Sequence, residues 1–413
     1  MKGLFIFRRD LRIQDNTGLS ELIKQCDEVN CIFILDPKQI DPKQNKFFSA
    51  PAMLFMIDSL IELKTRIPLK ILHGNPVEII GKVKDKYDLI AYNKDYSKYA
   101  IVRDAQLDSY ECVGYHDLGL NSPLDIKTYN VFTPYYEAAS QIAVRKPIVG
   151  NIKKIKNFKQ TSVDLQKLRK KIIAMLDKMG CYINLIQPGG RQNAIKCIKK
   201  FKCSSYAKKI DTLTFETSRL GPHLKFGTVS AREVYYACTN EVFRKQLYWR
   251  DFYMQIGYHF PKVYGYNFKN TIKWINNMGH FKKWCRGETG YDIVDACMNQ
   301  LNKSGFMHNR GRMIVASFLT KILHIDWRLG ERYFASRLTD YDPANNNGGW
   351  QWSAGTGVDT QPYFRIFNPY TQADNFDPDL EYRKKWLARP LDSMKEIVDY
   401  QVEREKALKL IRK

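Results

Sequence analysis

Residues 284–369 read WCRGETGYDIVDACMNQLNKSGFMHNRGRMIVASFLTKILHIDWRLGERYFASRLTDYDPANNNGGWQWSAGTGVDTQPYFRIFNP. This run combines paired acids, paired arginines, an asparagine triplet and several tryptophans. Within it, MHNRGRMIVASFLTK (307–321) predicts a helix, on which the spacing of Asn309, Arg312 and Met313 gives them a common face. Because the helix is otherwise apolar, a buried Arg312 would need an acidic partner.

The first 120 residues alternate short apolar runs with amphipathic stretches. Four of the apolar runs predict buried strands: GLFIFRR (3–9), VNCIFILD (29–36), LKILHG (69–74) and YDLIAYN (87–93). Strands that alternate with helices indicate a parallel sheet covered on both faces. We therefore expect an α/β, Rossmann-like domain over residues 1–120, although no GxGxxG motif follows its first strand.

The rest of the chain divides into a connector and a helical part. Residues 121–187 are rich in Lys, Pro and Asn, which predicts an irregular linker over the surface. A connector of that length is typical of a boundary between domains. From residue 188 to residue 413 the pattern is helical. The predicted fold class is thus an α/β domain joined by a long linker to an all-α domain.

Composition narrows the choice of partners and compartments. The formal net charge of +23 favours a polyanion, because phosphates bind Lys and Arg and release counterions. No apolar run is long enough to cross a bilayer, and the N-terminus lacks the features of a signal peptide. We expect a soluble, intracellular monomer that does not bind membranes, with cytoplasm and nucleus both open.

The nine cysteines indicate neither a metal centre nor a redox motif. No two of them have CxxC spacing, so a zinc site is not predicted. We expect reduced and mostly buried thiols, and no metal.

The run at 284–369 closely resembles the flavin-binding core of the photolyase and cryptochrome family. FRRDLRIQDNTGL (7–19) and YNVFTPYYEAA (129–139) match the same family, so the resemblance covers nearly the whole chain. The match is strongest to class I cyclobutane pyrimidine dimer photolyases. It implies an α/β antenna-type domain and a helical domain that holds FAD, active as reduced FADH⁻.

The resemblance also implies which residues hold FAD. ETSRLGPHLKFG (216–227) contains the family's phosphate-binding motif, and Thr217 and Ser218 are residue types that favour a helix N-cap. Asp340 is the implied partner of Arg312, and Asn346 is implied to face flavin N5. The residues at 345 and 347 are interpreted as turn residues. The implied contacts of FAD are Tyr206, Thr217, Ser218, Arg219, Leu220, Phe243, Arg312, Asp340, Asp342 and Asn346.

The tryptophans divide into two groups by resemblance. Trp350, Trp327 and Trp284, from the flavin outwards, match a chain for electron transfer to the surface. Trp249 and Trp352 match a pair that packs around an extruded lesion, where flat rings replace lost base stacking. The implied contacts with DNA or the lesion are Lys209, Gln246, Trp249, Arg250, Asn309, Arg310, Met313, Trp352 and Gln372, and Lys208 is a further candidate for phosphate.

The choice of lesion depends on three positions. Enzymes for (6-4) photoproducts carry a histidine pair where this chain has Asn309 and Met313, which favours cyclobutane dimers as the substrate. Gln246 favours the alternative, a (6-4) enzyme or an animal cryptochrome, because those proteins have Gln at this position. Most dimer enzymes have Glu there. The implied catalytic residues are Gln246, Asn309, Met313 and Asn346.

The resulting hypothesis is a deoxyribodipyrimidine photolyase, a lyase that repairs ultraviolet-damaged DNA by light-driven electron transfer. The alternatives are a cryptochrome-type blue-light receptor and a (6-4) photolyase. A generic basic nucleic-acid-binding protein would not account for the flavin residues. The identity of a second, antenna chromophore stays open, since Ser97 replaces the Glu of folate-using relatives.

Overall fold

The computed structural model describes residues 1–360 and 365–411. Part of the predicted flavin core, at 361–364, and the last two residues lie outside that description. The five strands are β1 (Lys2–Phe7), β2 (Glu28–Leu35), β3 (Leu69–His73), β4 (Leu89–Asn93) and β5 (Val113–Tyr115). They form one parallel sheet in the order β3-β2-β1-β4-β5. The predicted α/β architecture is confirmed, and β5, only three residues long and partly exposed, is the strand that the sequence did not predict.

The helices in the first 187 residues are α1 (Thr17–Gln25), α2 (Pro37–Ile40), α3 (Ala50–Arg66), α4 (Pro76–Gly81), α5 (Lys98–Asp108), α6 (Phe132–Ser140) and α7 (Leu165–Lys178). Those that follow are α8 (Arg191–Lys200), α9 (Tyr206–Lys209), α10 (Gly221–Phe226), α11 (Ala231–Ala237), α12 (Glu241–His259), α13 (Met278–Arg286), α14 (Asp292–Ser304), α15 (Asn309–Ser317), α16 (Trp327–Arg337), α17 (Pro343–Ala354), α18 (Pro369–Phe376), α19 (Glu381–Trp386) and α20 (Tyr400–Ile411). A π-helical turn at Phe318–Ile322 extends α15.

The sheet is buried on both faces because its strands are apolar at successive positions. Phe5 and Phe7 of β1 point to the core beneath α1, α3 and α7, whereas Leu4 and Ile6 point to the core beneath α4 and α5. Side chains alternate between the faces of a strand, so one apolar run supplies both cores.

The expected irregular linker contains two helices, and in this respect the sequence prediction was wrong. Helix α7 packs against α3, and its buried Ile172 and Leu176 join the core of the α/β domain. Its sequence, LQKLRKKIIAMLDK, is amphipathic, but its lysines and the surrounding polar residues obscured that periodicity. The division at residues 120 and 187 stays a prediction.

Buried ion pairs join the α/β domain to the helical part. Arg232 of α11 donates to Asp15 at 2.8 Å and to Asp117 at 2.7 Å, and Arg12 pairs with the same Asp117. These arginines hold the pKa of the Asp117 carboxyl far below its usual range, against the opposing effect of burial. Removal of one partner would leave a buried charge, so the pairs specify how the two parts meet.

Two further findings concern cysteines and membranes. Cys203 and Cys238 form a disulfide with Cα atoms 6.0 Å apart, so the expectation of reduced thiols was wrong for this pair. The sequence offered no signal for it, because the two residues are 35 positions apart.

Across residues 1–360 and 365–411, no helix is both long and apolar enough to cross a bilayer.

Candidate flavin and DNA-lesion site

The ion pair predicted between Arg312 and Asp340 is present. Arg312 Nη2 lies 2.8 Å and 3.1 Å from the two carboxylate oxygens, and Arg312 Nε donates to the Met307 carbonyl at 2.9 Å. Gly221 lies against this pair, since a Cβ atom there would be 2.7 Å from Asp340 Oδ2. A serine at this position would require Asp340 to move.

Asp342 begins α17 and is already paired within the protein. Its carboxylate accepts from the backbone N–H of Asn345 at 2.9 Å and pairs with Arg9, which also contacts Asp95 at 3.0 Å. Although burial opposes it, Arg9 together with Lys225 lowers the pKa of Asp342 far below its usual range. Asp342 therefore links the helical part to the loop after β1. Its predicted contact with the flavin stays a prediction.

The asparagine triplet lies within α17 and not in a turn, which corrects the expectation for residues 345 and 347. Asn346 Nδ2 donates to the backbone carbonyl of Glu331 at 3.2 Å, so α16 orients its amide. Asn347 is 1% exposed, donates to Glu331 Oε1 at 3.1 Å and accepts from Gln351 Nε2 at 3.0 Å. Asn347 is therefore a buried connector between α16 and α17. The Asp-Pro pair before the triplet, a common helix start, was the available signal.

Burial raises the pKa of the Glu331 carboxyl to about 7, and its hydrogen bond from Asn347 only partly offsets this. The carboxyl is therefore a buried titratable group bonded to Asn347, the residue next to the one that is expected to face N5.

The segment that is predicted to bind phosphate begins its helix at a different residue from the one expected. The N-cap of α10 is Leu220, and no side chain of the described residues caps that helix, so Thr217 and Ser218 are not its caps. Ser218 Oγ accepts a long hydrogen bond of 3.4 Å from the Leu220 N–H. Arg219 has a left-handed backbone with φ +54°, and its guanidinium lies 3.7 Å from the centre of the Phe306 ring.

An aromatic wall lies beside this segment. Tyr206 and Phe243 meet edge to face with ring centres 5.2 Å apart, and both are buried. The hydroxyls, the Arg312 guanidinium and the Asn346 amide can donate hydrogen bonds, and the Asp340 carboxylate can accept them. Together with the flat Tyr206 and Phe243 rings, these group types fit a dinucleotide with one flat ring system. The sequence-predicted cofactor residues from the different helices thus include two pairs in direct contact, Tyr206 with Phe243 and Arg312 with Asp340.

The predicted outer tryptophan of the electron-transfer chain is misassigned. Trp284 is 0% exposed and lies 6.1 Å from Trp350, measured between ring centres, with Phe334 packed against both. A fully buried ring cannot be the surface end of a chain. Trp327 is also buried, and its indole N–H donates to Asn267 Oδ1 at 2.9 Å.

Trp274, which was not among the sequence-predicted residues, packs against the same core and is only partly buried. Trp284, Trp327 and Trp350 are buried, so Trp274 is the one of these four tryptophans that reaches the surface. Its exposure depends on the tertiary structure, since the residues around it, TIKWINN, have no helical or strand periodicity.

Helix α12 carries Gln246 and Trp249 towards α17, where Gly348 packs directly on Tyr253 without room for a side chain. Gln246 Nε2 makes one long hydrogen bond, 3.4 Å to the Val242 carbonyl. Trp249 is half-buried, as is Trp352 on α17. On α15, the Asn309 amide lies 3.8 Å from Met313 Sδ, so the predicted common face of these two residues is confirmed.

The predicted phosphate-binding residues differ in accessibility. Lys208 and Lys209 are exposed, as expected. Arg250 is not available, because its side chain is 13% exposed and donates to the carbonyls of Leu118 at 2.8 Å and Leu224 at 3.3 Å. Arg310 is paired with Asp211 at 2.7 Å and covers the Phe376 ring.

Two other polar residues have a defined setting. Gln372 is half-buried, and its Oε1 has no hydrogen bond from the residues that the structure describes. Ser97, at the position of the antenna question, is the N-cap of α5 and accepts from the Ala100 N–H at 3.3 Å. It therefore has a structural role whatever chromophore binds.

A parallel α/β domain docked on a helical domain is typical of the photolyase and cryptochrome class of proteins. The Arg312–Asp340 ion pair and the packed Trp284 and Trp350 agree with that class. Residues 4–150 match the family described as DNA photolyase, and residues 243–412 match the FAD binding domain of DNA photolyase. The chain belongs to the DNA photolyase family. The predictions of fold class, family and FAD-binding domain are thereby confirmed.

Individual relatives agree with this assignment. Deoxyribodipyrimidine photo-lyase of Alkalihalophilus pseudofirmus is 36% identical, over 92% of this chain and 86% of that protein. The enzyme of the same name from Halobacterium salinarum is 35% identical, over 92% of this chain and 87% of that protein. The crystal structure of an archaeal photolyase from Sulfolobus tokodaii with two FAD molecules is 34% identical, has a TM-score of 0.89 and covers 100% of both chains. The prediction of a photolyase-type enzyme is confirmed by these relatives.

Proposed function

We propose that this protein repairs cyclobutane pyrimidine dimers in DNA with light, by electron transfer from bound reduced FAD. The observation that carries the choice of lesion is the start of α15. Asn309 and Met313 lie on its accessible side, and the adjacent His308 is 2% exposed and occupied in capping the helix at Arg310 N. Burial lowers the pKa of His308 to about 4, so its ring is neutral at pH 7. The region therefore offers no imidazolium acid for (6-4) chemistry.

When bound, FAD supplies the light-driven electron for opening the dimer ring. Around it, Thr217, Ser218 and Arg219 would bind the phosphates. Asp340, fixed by Arg312, and Asp342, fixed by Arg9, would orient the ribityl chain and ring edge. Asn346, oriented by the Glu331 carbonyl, would face N5, because an amide can both donate and accept.

The surface around the site supports a DNA substrate. The net charge of +23 and the exposed Lys208 and Lys209 provide contacts for phosphates. Trp249 and Trp352 would stack on the flipped lesion, since photolyases as a class are base-flipping enzymes. Gln246, Asn309 and Gln372 would provide the polar edge of that cavity, and the Met313 thioether lies beside Asn309.

For delivery of electrons to oxidised flavin, we infer a path from Trp274 at the surface through Trp327 to Trp350. The support is that all three pack in one core and that Trp274 is the partly exposed member. Trp284, which lies next to Trp350, stays a candidate for an internal branch of this electron path.

Gln246 is the observation that favours the alternative, a (6-4) photolyase or a cryptochrome-type receptor. Its half-buried amide can form neutral hydrogen bonds with a base edge but lacks the charge of the usual glutamate. We give Gln246 less weight than the absence of an imidazolium acid at the start of α15. A cyclobutane dimer can be split without a protein acid, so that absence favours the dimer as the substrate.

The test uses oligonucleotides that carry one cyclobutane dimer or one (6-4) product at a defined position. The purified protein, with its flavin chemically reduced, is illuminated or kept dark, and the products are separated by chromatography. We expect restoration of the dimer strand in light only, and no change in the (6-4) strand. A dimer strand that stays damaged in light, or efficient (6-4) repair, would contradict the proposal.

A further inference from the structure

The motif YNVFTPYYEAA, which forms the start of α6, lies directly against the candidate lesion site. Phe132 and Trp249 stack face to face, with ring centres 3.5 Å apart and an angle of 6° between the rings. Phe132 is 3% exposed, and Trp249 is half-buried. One face of the tryptophan is therefore covered by a residue of the linker, and a base must approach by another side.

The backbone at Phe132 is anchored from two directions. Gln255, on the same helix as Trp249, donates to the Tyr129 carbonyl at 2.8 Å. The backbone N–H of Asp359 donates to the Asn130 carbonyl at 3.2 Å, and its carboxylate accepts from the Phe132 N–H. The ring is thus held between the helix that carries Trp249 and the segment after α17.

Neighbouring rings restrict both members of the stack. Phe252 is 0% exposed and lies edge-on to Phe132 and to Trp249, with ring centres 5.7 Å away in each case. Tyr136 also stacks on Phe132, with ring centres 5.9 Å apart. A side chain that is not flat would leave a gap against the indole face, which would let the indole ring rotate.

We propose that Phe132 is a positioning residue for Trp249, which fixes the indole so that it recognises a flipped pyrimidine lesion. The inference rests on the proposed function, because it takes Trp249 as the stacking surface for the lesion. It adds that a residue of the interdomain linker, which need not touch DNA or flavin, determines the preference for damaged over undamaged DNA.

The experiment compares Phe132→Leu with Phe252→Leu in the full-length flavoprotein. Both changes replace a buried phenyl ring in the same cluster with a smaller aliphatic side chain, but only the first removes the parallel stack. Binding in the dark is measured for a dimer-containing and an undamaged oligonucleotide, together with flavin content and repair per absorbed photon at saturating DNA. Phe132→Tyr, which keeps the flat ring, is the rescue variant.

We expect Phe132→Leu to reduce the ratio of damaged to undamaged binding by about tenfold, the scale of one base–aromatic stack. Flavin content and repair at saturation should stay near the wild-type values, and Phe132→Tyr should restore the ratio. An unchanged ratio in Phe132→Leu, or a lowered ratio that Phe132→Tyr fails to restore, would overturn the inference while the proposed function stands. A wild-type protein without preference for the dimer would overturn both.

Discussion

Asn347 of α17 donates a hydrogen bond of 3.1 Å to the carboxyl of Glu331, whose own backbone carbonyl accepts from the neighbouring Asn346. One residue of α16 thus holds two consecutive asparagines, and it is 6% exposed. The amide proposed to face N5 is therefore oriented by the backbone of Glu331, whose buried carboxyl holds the neighbouring Asn347. This relationship leads to the first of four predictions.

Glu331 should make stability fall as the pH rises from about 4.5 to about 7. Burial raises its pKa to about 7, above the value in the unfolded chain, so between these values the folded protein binds more protons. Its stability relative to the unfolded state therefore decreases from about pH 4.5 to pH 7. We expect Glu331→Gln to be more stable than wild type at pH 8 by about 1–3 kcal/mol, and equal to it near pH 4.

The measurement is denaturant unfolding of both proteins at several pH values. Parallel curves across that range would contradict a buried, titrating Glu331.

Asp340→Asn should lower flavin retention. The change leaves the Arg312 guanidinium with a weaker partner in a partly buried place, at a cost of about 1–3 kcal/mol. The ratio of flavin to protein after purification should fall, and added FAD should restore it only partly. Asp211→Asn is the matched control, because it weakens the Arg310 pair in the same region but at a carboxylate that is 49% exposed. We expect that control to change stability by less than about 1 kcal/mol and to keep its flavin.

Trp274→Phe and Trp350→Phe should both slow photoreduction of oxidised flavin by an external thiol, by about tenfold or more, as for a barrier raised by about 1.4 kcal/mol. Repair by chemically reduced protein should persist, because that electron starts on the flavin. Absorbance of oxidised flavin under blue light gives the rate. Trp284→Phe is the informative comparison: a loss as large as that of Trp350→Phe, with Trp274→Phe unaffected, would contradict the path from Trp274.

Gln246→Glu should maintain or improve dimer repair. The only hydrogen bond of the Gln246 side chain among the described residues is a long one to the Val242 carbonyl, so little is lost on substitution. A charge-assisted hydrogen bond to a thymine edge is worth about 1–2 kcal/mol, or roughly one decade in rate or affinity. Repair rates at limiting DNA concentration provide the measurement. Gln192→Glu, an exposed change on α8, controls for the added charge; abolished repair in Gln246→Glu alone would contradict the assignment.

Several features follow from the sequence by itself because they depend on local patterns or on residue chemistry. The apolar runs of β1 to β4 predicted a parallel sheet, and the helical spacing of Asn309 and Met313 predicted their contact on α15. Arg312 in a mostly apolar helix required an acid, and Asp340 meets that requirement at 2.8 Å. The resemblance to a known family supplied the identity of that acid.

Other features were decided only by the tertiary structure, because they depend on which surfaces different helices cover. Trp284 and Trp274 are both tryptophans in basic surroundings, and packing alone makes the first fully buried and the second partly exposed. Arg250 is directed to carbonyls of distant segments rather than to solvent. The stack of Phe132 on Trp249 joins residues more than a hundred positions apart, and no local pattern encodes such a contact. Burial and long-range contacts are properties of the assembled core. Strands, helices and charge, in contrast, follow from local patterns in the amino-acid sequence.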